Sequence, residues 1–265
     1  MIQFNVYPDG KKRIVTFSYD DGHKNDQRLI ELFDKYGVKG TFHLNSKSLI
    51  TLSEEDQKAF GERYRNHEIS CHTVSHGWPS KIPSASLVGE IIENRKALEK
   101  IAGYPVIGMS YPSGSFNDNA IEVHKACGIV YSRTTLSTGK FLLPDDFLRW
   151  HPTCHHKGAL ALCDSFMNNL DSEWTHPLFY IWGHSHEFRT EEDWREIETV
   201  LQKISGNDKI WYATNLDIYN YMTAQRQLQI SVDERTFYNP TAIDVWVERD
   251  KKEILCIPKG QTVTL

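Results

Sequence analysis

Strand-like and helix-like segments alternate along this chain between residues 13 and 214, and this alternation constrains the fold more than any other feature. Most of the apolar, β-branched runs are separated by segments with helical spacing. The runs that predict strands are 13–19, 38–44, 68–73, 106–112, 129–134, 178–184 and 210–214. Because parallel neighbours in a sheet need a crossover, which is usually a helix, the pattern predicts an α/β protein with a parallel sheet. The number of strands favours a (β/α) barrel over an open sheet.

A different pattern begins after residue 227. Residues 228–232, 242–247 and 253–257 alternate apolar and polar side chains, with turn residues and no helical segment between them. We therefore expect two units, a (β/α) barrel over residues 1–227 and a small antiparallel β appendage over residues 228–265.

Composition and charge argue against several classes of function. The formal net charge of −5 indicates no basic surface for a nucleic acid, whose phosphates are bound by clusters of Lys and Arg. No apolar run approaches the ~20 residues that span a bilayer, and the first ten residues lack the apolar core of a secretion signal. The five cysteines are an odd number without a C-x-x-C pair, which is typical of free thiols in a reducing compartment. These features predict a cytoplasmic protein without a membrane span.

Polar residues interrupt the strand pattern at the carboxyl ends of the predicted strands. They are Asp20 and Asp21 after the first strand, His72 and His76 after the third, Ser113 after the fourth and His184 at the end of the sixth. In a parallel barrel these ends meet on one face, where such proteins carry their active sites. The sequence therefore predicts that these side chains converge.

Two histidines and a carboxylate from this set suit a catalytic metal ion. His72 and His76 are four residues apart, so one helical turn would point both imidazoles the same way. Taken alone, such a pair is more often two unrelated histidines. Together with one carboxylate from the first strand end, it forms a known three-ligand set that leaves a coordination position open for water.

The neighbouring carboxylates and His184 suit acid-base chemistry at such a metal. One of Asp20 and Asp21 would bind the ion while the other accepts a proton from the activated water. A histidine opposite that base would protonate a departing amine, which is otherwise a poor leaving group. The simpler interpretations are an Asp-Gly turn at Asp21 and a buried, hydrogen-bonded histidine at His184.

Four segments, in this order, resemble the motifs of one protein family. They are Thr16-Phe-Ser-Tyr-Asp-Asp-Gly22, His72-Thr-Val-Ser-His76, Tyr111-Pro-Ser-Gly114 and Tyr180-Ile-Trp-Gly-His184. The resemblance is to the polysaccharide deacetylase (NodB-homology) family, carbohydrate esterase family four, and it extends over about residues 13–220. With the C-terminal pattern, it implies an irregular (β/α)7-8 barrel with a small C-terminal antiparallel β appendage. It also implies a divalent metal, zinc before cobalt, nickel or manganese, and removal of an N-acetyl group from a sugar or glycoconjugate.

Position by position, the resemblance implies a role for each of these residues. Asp20 corresponds to the catalytic base and His184 to the acid. The metal ligands correspond to Asp21, His72 and His76. The backbone N–H of Ser113 corresponds to the donor that stabilises the negative oxygen of a tetrahedral intermediate.

Two departures from the family change the expected surroundings of Asp20. The family places an arginine before the proline of its third motif, where this chain has Ser110 and Tyr111. Between the third and fourth of these segments, the family has a further motif with a carboxylate beside a tryptophan, and there this chain has Arg149 before Trp150. We therefore expect Arg149 to supply the missing cation to Asp20. We also expect Tyr111 and Trp150 to contact substrate, with a place in the core as the alternative for Trp150.

A second group of histidines occupies residues 151–156. Its spacing fits no standard zinc motif, so we expect a loop that lines the same pocket. An extra metal site shared with Cys163 or His186 is the alternative. Glu187, just beyond His184, could orient an imidazole, but we expect it to be a solvated surface residue.

Two other functions stay open on the sequence alone. Relatives of this fold open cyclic ureides and imides, and the altered third motif leaves room for a different acyl group. A barrel that binds glycans without turnover would also explain the missing arginine, although the five positions for metal binding and acid-base chemistry are all filled.

Overall fold

The computed structural model describes residues 1–172 and 177–265. The strands in these ranges are β1 (Ile2–Gln3), β2 (Arg13–Asp20), β3 (Gly40–Leu44), β4 (Glu68–Cys71), β5 (Gly108–Ser110), β6 (Tyr131–Arg133), β7 (Cys154–His155), β8 (Leu178–His184), β9 (Ile210–Tyr212), β10 (Gln229–Ile230), β11 (Thr236–Tyr238), β12 (Val245–Arg249), β13 (Glu253–Ile257) and β14 (Thr262–Thr264). The α-helices are α1 (Asp26–Tyr36), α2 (Glu54–Arg63), α3 (Ser84–Ala102), α4 (Asp118–Ala126), α5 (Ala159–Met167), α6 (Glu191–Ile204) and α7 (Asn215–Gln227).

A curled parallel sheet forms the centre of the protein. Its strands run in the order β6-β5-β4-β3-β2-β8-β7, and β9 also pairs with β2. Trp150 bridges to Arg133 at the end of β6, and four residues later β7 pairs with β8. The segment 150–155 therefore connects the two edges of the curl. This architecture confirms the predicted irregular (β/α) barrel.

The sequence of β2 and α1 explains how the first strand end is positioned. All eight residues of β2 are buried, as expected for a strand between two neighbours in a parallel sheet that helices cover. Helix α1 follows and buries Leu29, Ile30 and Phe33 along one face. It ends at Gly37, whose φ of 64° is the left-handed conformation that glycine adopts without strain.

The C-terminal strands form small antiparallel sheets, as predicted. One has the order β10-β11-β14 and the other β1-β12-β13. Strand β1 pairs with β12 through Ile2 and Arg249, so the first residues of the chain join the C-terminal strands. The division into units at residues 227 and 228 stays a prediction.

Within the described ranges, no helix has the length and apolar character needed to cross a bilayer. All five cysteines are free thiols, and Cys256 is the exposed one. The cytoplasmic location stays a prediction.

Candidate active site

The carboxyl ends of the parallel strands bring the predicted polar residues together. Asp20 ends β2 and lies in register with His43 of β3 on one side and with His184 of β8 on the other. His72 directly follows β4, and Ser113 lies in the turn after β5. All of them lie at the same end of the sheet.

Asp21, His72 and His76 form a compact group of possible metal ligands. One ligand atom from each residue lies within 4.8 Å of the other two. The Oδ1 atom of Asp21 is 3.5 Å from Nε2 of His72 and 3.7 Å from Nε2 of His76. One carboxylate and two imidazoles bind zinc and similar divalent ions with a coordination position left open.

The hydrogen bonds around this group fit a bound divalent ion. Nδ1 of His72 lies 3.0 Å from the carbonyl oxygen of Ser110, and donation of its hydrogen there leaves Nε2 with a free lone pair. Nε2 of His72 and Oδ1 of Asp21 are buried, and neither has a hydrogen-bond partner among the described residues. Burial also lowers the pKa of His72, which favours the neutral imidazole that binds metals. Since buried polar atoms nearly always have partners, an ion between these side chains would satisfy both.

The backbone at this group adopts conformations that are costly for residues other than glycine. Asp21 has a φ of 79°, Thr73 of 64° and His76 of 61°. Such left-handed residues persist where the surrounding structure enforces them, and they cluster at functional sites.

Asp20 is buried beside a cation and a hydroxyl group. Its Oδ2 atom pairs with the guanidinium of Arg133, and its Oδ1 atom accepts a hydrogen bond of 3.0 Å from Oγ of Ser110. Burial raises the pKa of Asp20, but the charges of Arg133 and of the nearby His72, His43 and His184 together outweigh burial and hold that pKa well below its usual range. Arg133 is itself fixed, because its Nε donates to Oγ of Ser18 at 3.2 Å and its guanidinium lies 4.5 Å from the centre of the Trp182 ring. Asp20 is thus held as a carboxylate in one orientation.

The cation beside Asp20 is therefore Arg133, and the prediction that Arg149 supplies it is wrong. Arg149 is half-exposed and pairs with Asp146 at 2.5 Å and with Asp118 at 2.6 Å. Arg133 ends β6, in a segment that the sequence pattern identifies only as a strand. An arginine inside an apolar, strand-like segment was the sequence feature that could have identified this cation.

His184 lies between Asp20 and a second carboxylate. Its Nε2 is 3.9 Å from Oδ2 of Asp20, and its Nδ1 is 3.3 Å from Oε2 of Glu187. Burial lowers the pKa of His184, but the hydrogen bond to Glu187 and the charges of Asp20 and Asp21 outweigh burial and raise it. The expectation that Glu187 is a solvated surface residue is corrected, because the short turn after β8 brings its carboxylate back to His184.

Glu187 also contacts basic side chains of the segment that begins with β7. Its Oε2 atom is 2.8 Å from Nε2 of His155 and 3.7 Å from Nε2 of His156, and its Oε1 atom is 3.5 Å from Nζ of Lys157. The two imidazoles and the carboxylate are close enough to bind an ion. However, the lysine ammonium and the hydrogen bond from His155 already satisfy the carboxylate, which is the arrangement of a hydrogen-bonded network. Cys163 is no part of this network, because its thiol bonds within α5.

His156 belongs to the core and not to an open loop. Its ring stacks on Tyr19 at 5.7 Å and on Phe188 at 4.6 Å, and burial lowers its pKa to about 3. It covers Gly183 so closely that a Cβ atom there would lie 2.0 Å from Nδ1 of His156. His186 faces the first group instead, with Nδ1 3.9 Å from Oδ2 of Asp21.

Two of the expected substrate-contacting side chains lie in the core as well. Tyr111 is buried, and its hydroxyl donates to the carbonyl oxygen of Leu148 at 2.8 Å. Trp150 is completely buried and packs edge-on against Phe147 and Tyr180. Neither side chain lines an open pocket, which corrects the expectation for both.

Ser113 lies at the protein surface, and a tryptophan other than Trp150 lies beside the predicted acid. Ser113 is exposed in a turn and has a left-handed φ of 55°. Trp182 lies two residues before His184, with 5.6 Å between the two ring centres, and its Nε1 donates to Oγ of Ser137 at 3.2 Å. The alternation of β8 places Trp182 and His184 on the same face of the strand, a pattern that was readable from the sequence.

Sequence comparison finds relatives with a common description. Residues 7–132 match the family model described as polysaccharide deacetylase. YxkH of Bacillus subtilis (strain 168), provisionally named as a polysaccharide deacetylase, is 24% identical over 128 residues, which are 47% of this chain and 45% of that protein. The chain thus spans less than half the length of this curated relative.

Solved structures share the fold at low sequence identity. A Mycobacterium smegmatis protein, provisionally assigned as a polysaccharide deacetylase, superposes with a TM-score of 0.63 and 16% identity over 85% of this chain and 96% of its own. BA3943 of Bacillus anthracis, a pseudoenzyme of carbohydrate esterase family four, has a TM-score of 0.53 and 16% identity over 80% of this chain and 66% of its own. At these identities the similarity confirms the barrel fold and carries no activity with it.

Proposed function

We propose that this chain, which belongs to the polysaccharide deacetylase (NodB-homology) family, is a metal-dependent hydrolase that removes an N-acetyl group from a sugar or glycoconjugate. The observation that supports this most is the group Asp21, His72 and His76, whose ligand atoms lie within 4.8 Å of one another. This group adjoins a buried, ionised carboxylate and a histidine with a raised pKa, which are the parts that amide hydrolysis needs.

Asp21, His72 and His76 would hold the divalent ion, with zinc favoured and cobalt, nickel or manganese as alternatives. When bound, such an ion polarises an acyl oxygen and lowers the pKa of a coordinated water to about 7. Ser110 contributes by fixing the ring of His72, since its carbonyl oxygen faces Nδ1 at 3.0 Å.

Asp20 is the proposed base, and Arg133 is the residue that keeps it ready. The guanidinium keeps Oδ2 of Asp20 ionised, and the Ser110 hydroxyl holds Oδ1. Because both partners are buried, the carboxylate does not have to be reoriented before it accepts a proton from the attacking water.

His184 is the proposed acid and Glu187 its positioning residue. A proton on Nε2 would face the departing nitrogen of the substrate, while Nδ1 is held by Glu187 at 3.3 Å. The negative charge of Glu187 helps to raise the pKa of His184, which keeps a proton available for the amine. The backbone N–H of Ser113 would donate to the oxygen that becomes negative in the tetrahedral intermediate.

The test is acetate release by protein of defined metal content. The chain is stripped with a chelator, reloaded with one equivalent of Zn²⁺, Co²⁺, Ni²⁺ or Mn²⁺, and assayed on N-acetylglucosamine and tetra-N-acetylchitotetraose. We expect release that requires metal and that falls by about 10²–10⁴-fold in Asp20→Asn, because this variant keeps the size of the side chain but removes the base. Metal-independent release, or equal rates in wild type and Asp20→Asn, would contradict the proposal.

The same assay separates the other two functions. Opening of a cyclic ureide or imide such as hydantoin, without acetate release from either sugar, would favour the cyclic amide hydrolase. A full metal site without hydrolysis of any amide would favour a glycan-binding protein, the alternative that the missing arginine of the third motif leaves open. Arg133 argues against it, because the cation that the third motif lacks is present beside Asp20.

A further inference from the structure

The carboxylate of Glu187 makes a shorter hydrogen bond to His155 than to the proposed acid. Its Oε2 atom is 2.8 Å from Nε2 of His155, whereas Nδ1 and the backbone N–H of His184 both lie 3.3 Å away. Nε2 of His156 is farther still, at 3.7 Å. Because N–H···O hydrogen bonds are strongest below about 3.2 Å, the contact with His155 determines where this carboxylate lies.

A backbone contact indicates which nitrogen of His155 carries the hydrogen. Nδ1 accepts from the backbone N–H of Lys157 at 3.4 Å, so the neutral ring has its hydrogen on Nε2. That hydrogen points at Oε2 of Glu187. A neutral His155 therefore donates to the carboxylate without cancelling its charge, and the negative charge of Glu187 acts on His184.

The backbone on the amino-terminal side of His155 is bonded to the strand that carries the acid. Strand β7 places His155 opposite Trp182 of β8, and the imidazole packs edge-on against this indole with 5.0 Å between the ring centres. Two residues earlier, the N–H of Thr153 donates to the carbonyl oxygen of Tyr180 at 2.9 Å. His155 and His184 are thus held on neighbouring strands, so their separation is set by the sheet.

We propose that His155 is a positioning residue of the hydrolase, which fixes the Glu187 carboxylate against Nδ1 of His184 so that Nε2 of the acid faces the departing amine. The inference rests on the proposed function and extends its acid beyond Glu187. Without the donor, the carboxylate is free to turn toward Lys157, whose Nζ lies 3.5 Å from Oε1. His184 would then lose an anionic neighbour and hold its proton less strongly.

The ionisable groups around His184 make this contribution measurable. Burial lowers the pKa of His184, whereas the hydrogen bond to Glu187 and the charges of Asp20 and Asp21 outweigh burial and raise it. The other ionisable groups near its ring are His186, with 5.0 Å between the ring centres, and His156. Of the acidic groups in this set, His155 hydrogen-bonds to Glu187, so its removal acts on His184 through that carboxylate.

The experiment compares variants of His155 that keep or remove the donor. His155→Phe keeps a ring against Trp182 but cannot donate, and His155→Leu is a smaller variant that cannot donate either. The side-chain amide of His155→Gln can donate from the position of Nε2. The titration of His184 is followed by NMR of the Zn²⁺-loaded chain labelled with ¹³C at histidine Cε1, and its signal is identified by its loss in His184→Asn.

We expect the pKa of His184 to be lower in His155→Phe and His155→Leu than in wild type. Their kcat for acetate release should be about tenfold below wild type, because an acid that loses its proton more easily is charged in a smaller fraction of the molecules. His155→Gln should restore most of both. If the ring of His155 served only for packing, the order would be reversed, with His155→Phe tolerated and His155→Gln harmful.

Glu187→Gln provides the matched background for these variants. If His155 acts through Glu187, adding His155→Phe to Glu187→Gln should change neither the pKa of His184 nor kcat any further. Three results would overturn the assignment. They are an unchanged pKa of His184 in His155→Phe and His155→Leu, an equally lowered pKa in His155→Gln, and a full additional loss in the double variant.

The NMR titration also separates this inference from the proposed function. If the wild type releases no acetate, the hydrolase proposal fails, and the pKa of His184 alone decides whether His155 positions Glu187. A lower pKa in His155→Phe that His155→Gln restores supports the contact, whereas the same pKa in all three proteins overturns it.

Discussion

Replacing Arg133 with methionine removes the cation that contacts Asp20 while keeping most of the side-chain length. Both residues are buried, with 0% and 3% of their side chains exposed. Removing one partner of a buried pair typically costs about 3–5 kcal/mol of unfolding free energy, because the other charge is left without compensation. We expect Arg133→Met to lose a free energy of this order at neutral pH.

The pH dependence of this loss has a definite sign. Arg133 lowers the pKa of Asp20 in the folded protein, so the pair stabilises the fold above the ordinary carboxylate pKa of about 4 and loses that contribution as the pH falls. The difference in unfolding free energy between wild type and Arg133→Met should therefore shrink in acid.

The loss of activity should have the opposite pH dependence and grow as the pH falls. Without the guanidinium, Asp20 loses the largest charge that opposes burial and its pKa rises, so a larger fraction is protonated and unable to act as a base. We expect kcat of Arg133→Met to fall by about 100-fold at neutral pH, and by more as the pH is lowered.

The assay pairs this variant with Arg149→Met. Arg149 is 40% exposed in its ion pairs, so its loss should leave the unfolding free energy close to that of wild type and kcat within about twofold. Urea denaturation and acetate release are measured on both variants with equal metal content. Wild-type turnover in Arg133→Met, or an equal loss in Arg149→Met, would refute the reasoning.

Three further substitutions test other contacts. Glu187→Gln keeps an acceptor for His184 but removes the charge that helps to raise its pKa, so kcat should fall about tenfold and the basic limb of the pH-rate profile should move to lower pH. Burial raises the pKa of Glu68 to about 7, so its contribution to stability is complete below its ordinary pKa and is lost as the pH rises through 7. The unfolding free energy of Glu68→Gln, relative to wild type, should therefore increase by about 2 kcal/mol between pH 5 and pH 8 in urea denaturation. Gly183→Ala would place Cβ 2.0 Å from His156 and should lower the unfolding free energy by about 1–3 kcal/mol in thermal denaturation. An unchanged pH-rate profile in Glu187→Gln would contradict the first expectation. A pH-independent difference in unfolding free energy between Glu68→Gln and wild type would contradict the second, and an unchanged Tm in Gly183→Ala the third.

The convergence of the strand-end residues was predictable because it follows from strand direction alone. Strands that alternate with helices are parallel, so their carboxyl ends share one end of the sheet whatever their exact order. This reasoning brought Asp20, His72 and His184 together although they are far apart in the chain. The reasoning depends only on the residue at which each strand ends, and β8 ends at residue 184 as predicted.

The partners of these residues were not predictable in the same way. Arg133 reaches Asp20 across the curl of the sheet, so the contact depends on the closure of the barrel and not on any local pattern. Glu187 reaches His184 because of a single short turn after β8. No periodic pattern of residues predicts such a turn, and a glutamate that follows a strand is most often exposed to solvent.

Non-local pairing also explains what was missed in the fold. Strand β7 has two residues, too few for an alternating pattern, and it forms because the segment after Trp150 connects the sheet edges. Strand β1 pairs with β12, which lies more than two hundred residues later in the chain. Neither pairing leaves a local pattern in the sequence.

Anomalous diffraction from crystals grown with Zn²⁺ is the most direct measurement of the central claim. We expect one peak at the zinc edge within about 2.3 Å of Asp21 Oδ1, His72 Nε2 and His76 Nε2, with space for a water on its remaining side. No peak at this position, or a peak only beside Glu187 and His155, would contradict the proposed metal centre.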